Sequence, residues 1–122
     1  MSLSRVYSGL VTGVDGQTVT VETHQDRGLP GVHIVGLPDQ TVRESRERIR
    51  PAIKESGFTF PNQKITVNLS PADQAKEGST YDLPIAIGIL QASEQLEVPQ
   101  SSLDRRMLVG EIALDGTLRG VH

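Results

Sequence analysis

Cysteine and tryptophan are absent from this chain, and phenylalanine and tyrosine occur only twice each. Without cysteine there can be neither disulfide nor thiolate zinc site. With so few rings, any core must be aliphatic, built from Val, Ile and Leu. No apolar run is long enough to span a bilayer, and the opening MSLSRVYSGL reads as a strand and not as a charged-then-apolar leader. The expectation is a soluble, cytoplasmic protein with no membrane partner. A formal charge of -3 excludes nucleic-acid attraction through bulk charge and leaves only a local basic patch. Missing too are a GxxxxGK[ST] phosphate loop and a GxGxxG turn opening a helix, so nucleotide binding in either standard way is not expected of these residues. His24, His33 and His122 lack HxxxH or HExxH spacing and read as ordinary strand or surface histidines, with no metal or cofactor expected in this segment.

What is present is organised around KITVNLSPADQAKEGSTYDLPIAIGIL, residues 64–90. Ile65, Val67 and Leu69 alternate with Thr66 and Asn68, the pattern of a strand with one buried face. The closing apolar run is too long and too rich in alanine for a strand and predicts a buried helix. Asp82 is its expected N-cap, with Pro84 in the first turn, where its missing N–H breaks no bond. Leu83, Ile87 and Leu90 form one expected stripe, with Ile85 and Ile89 beside it. Gly88 costs about 1 kcal/mol of helix propensity relative to alanine, which suggests close approach of another backbone. Between strand and helix lies a polar loop, Ser70 to Tyr81, presented from two rigid ends. Within it Ser79 and Thr80 are the candidate nucleophiles and Lys76 the candidate base, with capping or turn roles as the structural alternative.

Around this stretch, Leu3 to Val14 and Gln17 to Gln25 alternate about Asp15-Gly16, a hairpin signal. Val32 to Gly36 predicts a third strand. Asp39 follows as N-cap of a polar helix from about Gln40 to Ser56, with Gly57 as its stop. Pro51 inside that helix predicts a kink near Glu47 to Arg50, or two pieces. Ser93 to Asp104 reads as a connection. Met107 to Leu114 and Thr117 to Val121 predict a second hairpin about Asp115-Gly116. The order is three strands, helix, strand, helix, two strands, which predicts one α/β domain over residues 1–122, a mixed sheet with its two helices on one face.

The polar helix carries the densest basic cluster, Arg43, Arg46, Arg50 and Lys54. Glu44, Glu47 and Glu55 are interleaved, and Arg43 with Glu47 or Glu44 with Arg48 fit helical pair spacing. A solvated, self-paired face and a contact surface for DNA or a neighbouring subunit are the two readings, with Lys76 of the loop as a further contact candidate.

Three segments carry a family resemblance: VHIVGLPDQTVRESRERIRPAIKESGFTFP, KITVNLSPADQAKEGSTYDLPIAIGIL and LVGEIALDGTLRGV. In this order, over nearly the whole chain, they resemble the N-terminal domain of the magnesium-chelatase-like AAA+ proteins of bacteria, the ComM/YifB family. The resemblance implies a Lon-protease-like, ribosomal-protein-domain-like sandwich placed ahead of an AAA+ ATPase module. It implies that these residues are part of a longer, hexameric parent that takes ATP and magnesium beyond His122 and acts on DNA as a branch-migration helicase in competence and recombination. KEGSTYDLPIA and GEIALDG also resemble the KDGPSAG and GEI-L-G segments of Lon. On that alignment Lys76, Glu77 and Gly78 match in type and the nucleophile falls on Thr80, while Tyr81 and Asp82 replace small residues. The base lysine of Lon lies on a helix after the hairpin, which is not found before His122.

Two functions of different class follow from the sequence: a noncatalytic accessory domain of an AAA+ motor, and a Lon-like hydrolase using Thr80 or Ser79. Because these residues lack a phosphate-cradling loop, calorimetric titration of the chain with Mg-ATP is expected to show no binding heat. A micromolar site would overturn that expectation.

Overall fold

The computed structural model describes residues 2–9, 18–97, 99, 102, 110–112 and 118–119. Its elements follow the expected order: β1 (Ser2–Gly9), β2 (Thr18–Asp26), β3 (Gly31–Val35), α1 (Gln40–Arg43), α2 (Ser45–Glu55), β4 (Lys64–Ser70), α3 (Asp82–Ala92), β5 (Glu111–Ile112) and β6 (Leu118–Arg119). β1 to β4 form a mixed sheet in the order β1-β2-β4-β3, and β5 pairs with β6 separately. β1 and β2 are antiparallel, β2 and β4 are antiparallel, and β3 runs parallel to β4. β4 is thus inserted between strands that precede it in sequence. The turn expected at Asp15-Gly16, the one at Asp115-Gly116 and residues 98, 100–101 and 103–104 of the Ser93 to Asp104 connection lie outside the described residues.

Alternation decides which face is covered. Val6 faces Val21, which faces Leu69, and Val32 sits beside Ile65 in register. All five are buried, Val32 at 5% and the others at 1% or less. α3 packs on this face against β1 and β2, and α2 packs beside α3. The opposite face carries Leu3, Arg5, Tyr7, Thr20, Glu22, His24, Thr66, Asn68, His33 and Val35, positions that are exposed or half-buried. Arg5 and Glu22 make a cross-strand ion pair there at 3.1 Å. A mixed sheet covered on one face is what period-two alternation in every strand requires.

Three local expectations need correction. The polar helix is two pieces, but the break falls at Glu44 and not before Pro51, which sits inside α2. The carbonyl that Pro51 cannot satisfy belongs to Glu47, an exposed residue, so the helix tolerates it. Asp82 is the first residue of α3, and the N-cap is Tyr81, which makes no side-chain cap bond. Finally, Ile85 and Ile89 are at 0% and 1% exposure, whereas Leu83 and Ile87 are half-buried at the groove between α2 and α3. Leu90 of the expected stripe is buried at 7%, so that stripe holds in part, and the deepest positions are the Ile85 and Ile89 expected beside it. By contrast, Asp39 caps α1 as anticipated, its Oδ1 accepting from the Val42 N–H at 2.7 Å.

Gly88 does mark a close approach, although the neighbour is a side chain. A Cβ there would lie 2.4 Å from Thr23 Oγ1 and 3.2 Å from Thr23 Cβ, so α3 can rest on β2 only without it. Ile85→Ala and Ile89→Ala are each expected to cost about 2 to 5 kcal/mol, and Leu83→Ala less, by urea midpoints. Gly88→Ala is expected to cost about 1 to 3 kcal/mol despite better helix propensity. Adding Thr23→Ala should restore part of that loss; no rescue would place the strain elsewhere.

Candidate functional site

The loop between β4 and α3 is stitched to the turn after β3, and the stitching uses the residues that the sequence offered for chemistry. Gly36 has φ of +110°, and a Cβ there would fall 2.0 Å from the Leu69 carbonyl oxygen, so only glycine lets the turn cross β4. Leu37 follows at φ +56°. Its carbonyl accepts from the Lys76 N–H at 2.9 Å, and the Asp39 N–H donates to the Lys76 carbonyl at 2.9 Å. Asp39 then reaches past its capping bond, its Oδ2 accepting from the Gly78 N–H at 3.2 Å.

Lys76 is fully buried. Its ammonium donates to the Gly36 carbonyl at 2.8 Å and to the Pro71 carbonyl, closing the loop on itself and on the turn. Burial lowers its pKa from the ordinary lysine value, with Asp73 opposing. The expectation of a cation presented for contact is therefore not met: the side chain points at carbonyls. It is also not hydrogen-bonded to either candidate nucleophile. Thr80 is 5% exposed and its Oγ1 has no partner among the described residues, while Ser79 is half-buried and its carbonyl accepts from the Asp82 N–H at 3.2 Å.

Asp82, 0% exposed at the head of the apolar helix, is the centre of a network that sequence reading missed. Arg48 of α2 grips its carboxylate with both arms, Nε to Oδ2 at 2.7 Å and Nη2 to Oδ1 at 2.9 Å. The Ser45 hydroxyl donates to Oδ1 at 2.6 Å, and the Ile112 N–H of β5 to Oδ2 at 3.2 Å. Arg48 also donates to the Thr41 carbonyl at 2.9 Å. The hydrogen bond to Asp82 raises the Arg48 pKa further, so it is a permanent cation here. Arg48 turns inward and away from the pairing with Glu44 that helical spacing suggested. Beside this network Gly110 clasps the start of α3, donating to the Thr80 carbonyl at 2.9 Å and accepting from the Leu83 N–H at 3.0 Å.

The other basic residues stay outside. Arg43, Arg46, Arg50 and Lys54 are all exposed. Arg46 lies 3.7 Å from Glu47 and donates to the Val32 carbonyl at 3.4 Å, and the Arg50 guanidinium stacks over Phe60 at 4.4 Å. Glu44, Glu47 and Glu55 share this surface. Among the described residues no group of His, Cys, Asp and Glu is placed to hold a metal ion, and no helix is long and apolar enough to cross a membrane.

A one-sided mixed α/β domain, with a loop pinned by a buried lysine and a helix headed by a buried carboxylate, defines the structural class. The family of subunit ChlI of Mg-chelatase matches residues 21–122, and this chain belongs to it. It is 55% identical over 121 residues to the uncharacterised protein YifB of Escherichia coli. It is 52% identical over 122 residues to the competence protein ComM of Haemophilus influenzae, and 44% identical over 122 residues to an uncharacterised protein of Mycobacterium bovis. These alignments take in 99% to 100% of this chain but only 24% of each relative, so the chain spans about a quarter of their length.

Removing Arg48 would leave Asp82 charged and buried without its cation. Arg48→Ala is therefore expected to cost about 3 to 5 kcal/mol, and Arg43→Ala less than about 0.5 kcal/mol, by urea midpoints. Lys76 carries a pH signature. With its folded pKa below the ordinary 10.5, the unfolded chain holds more protons between the two values, so stability rises with pH across that window. The stability of wild type minus that of Lys76→Met should accordingly rise as pH climbs toward the ordinary lysine value of 10.5. A difference that shrinks would contradict the lowered pKa.

Proposed function

We propose that this chain is a noncatalytic N-terminal accessory domain of a ComM/YifB-like AAA+ protein that acts on DNA in competence and recombination. On this reading its sandwich is Lon-like, and the parent is a cytoplasmic hexamer using ATP and magnesium at sites outside these residues. The observation that carries it is the disposition of the charged groups. Lys76 and Asp82, the ionisable residues best placed for chemistry in and beside the loop, are consumed in holding backbone and neighbouring elements. The densest group of cations left facing solvent among the described residues, Arg43, Arg46, Arg50 and Lys54, lies on α1 and α2. Kinship to a competence protein supports DNA as the polyanion.

Such a surface would read phosphate charge without reading sequence, and its interleaved glutamates make single contacts weak. Repetition around a ring would add them through effective concentration. In the full-length protein, Arg43, Arg46 and Arg50 reversed to glutamate are expected to weaken single-strand and forked-DNA binding. The slope of log affinity against log salt should become shallower by about 2. Unchanged affinity and slope would remove DNA contact from this helix.

A Lon-like hydrolase remains the second reading because Thr80 Oγ1 is buried without a partner among the described residues. Casein incubated with the full-length protein is expected to stay intact. Cleavage abolished by Thr80→Ala or Ser79→Ala would overturn the accessory role.

A further inference from the structure

The open face of the sheet ends in a cleft of about 640 Å³ between the β2–β3 loop and β4, lined by Arg27, Gly28, Leu29, Pro30, His33, Lys64 and Thr66. It lies on the sheet face opposite the covered one, apart from the loop and from the basic residues of α2. We propose that this cleft is a second contact for single-stranded nucleic acid, holding a phosphate between Arg27 and Lys64 and an unpaired base against Leu29, Pro30 and His33. The proposal rests on the DNA reading above but adds a surface that the arginine helix does not supply.

Three observations support it. First, Leu29 is 87% exposed, the most exposed large apolar side chain among the described residues, and it is held at the loop tip next to Pro30. Gly28 sits so close to β4 that a Cβ would lie 3.3 Å from the Lys64 side-chain carbons, so the loop rests on the lysine stem while the tip stays out. An exposed apolar side chain beside a proline offers apolar surface for a base face to cover.

Second, Arg27 and Lys64 are exposed and neither makes a side-chain ion pair among the described residues. One acid, Asp26, stands opposite Lys64 in the ladder, and its Oδ1 accepts from the Arg27 N–H at 2.9 Å. Asp26 tempers the cleft without closing it, and the pair of cations exceeds it by one charge.

Third, the ladder sets His24, Thr66 and His33 side by side across β2, β4 and β3, with both imidazoles exposed. A planar ring, a hydroxyl and apolar neighbours in a row suit a base face and a base edge. An acidic peptide would use the same cations but would leave the apolar platform and the rings without a flat partner, so nucleic acid is the better fit.

The test uses the full-length protein and a fluorescent oligothymidine, followed by anisotropy at several salt concentrations. Arg27→Glu with Lys64→Glu is expected to weaken binding about tenfold and make the salt slope shallower by about 0.7, one single-strand phosphate's worth. Leu29→Ser should weaken binding with the slope unchanged, because a stacking contact releases no counterions. Both sites are exposed, so circular dichroism should confirm intact folding. If only the triple reversal on Arg43, Arg46 and Arg50 weakens binding, the cleft proposal falls and the helix reading stands. If neither set does, DNA contact by this domain falls altogether. Loss of polyglutamate binding with oligothymidine affinity unchanged would reassign the cleft to acidic peptides and overturn the proposal.

Discussion

The carboxylate of Asp82 is the point on which the arrangement of this domain depends. It has no solvent of its own, and a lone charge in that position would be prohibitive. Its oxygens are instead shared among a bidentate arginine, a serine hydroxyl and a strand N–H, drawn from α2 and β5. Such a pair contributes little net stability against an apolar substitute, because desolvation offsets most of the attraction. What it does supply is direction: only one placement of α2 and β5 against the head of α3 satisfies every oxygen. The apolar contacts between Ile49, Ala52, Ile53 and α3 could slide; the carboxylate network cannot.

Lys76 has the same role for the loop. Its ammonium ties two carbonyls 35 residues apart in the chain, Gly36 and Pro71, beside the backbone bridge that joins Leu37 and Asp39 to Lys76. Together the two charged anchors make the Ser70 to Tyr81 segment a fixed part of the scaffold. Among the described residues, exposed charge is then carried chiefly by the outer side of α1 and α2 and by the open face of the sheet.

Much of this was legible in the sequence, for physical reasons that also explain the gaps. Alternation in Val6, Val19, Val21, Ile65, Val67 and Leu69 reports burial directly, so the strands and their covered face could be read. Strand order could not, since parity says which face is in and nothing about which neighbour is adjacent. The apolar run of α3 was plain, but a helix apolar on nearly all sides gives no periodicity to pick Ile85 over Leu83. Arg48 was lost because a glutamate four residues away offered a local partner, while its real one lies 34 residues on. The usable signal was Asp82 itself: an acid heading a helix with no polar face must be buried and must therefore find a cation. Lys76 misled for the converse reason, since a lysine among polar loop residues reads as exposed unless a nearby Gly-Leu-Pro turn is recognised as offering carbonyls.

The place of β4 between β2 and β3 has a consequence for assembly. β1 and β2 can pair as soon as both exist, but β3 meets its ladder partner only after α1, α2 and the intervening turns have been made. Until residues 64–70 arrive, the half-built sheet offers one strand with an open side and another with no partner. Closure of that gap joins a local hairpin to a distant strand in a single step, the kind of long-range contact that slows folding. The strand that opens the central stretch is thus also the keystone, and completion of the sheet waits on it alone.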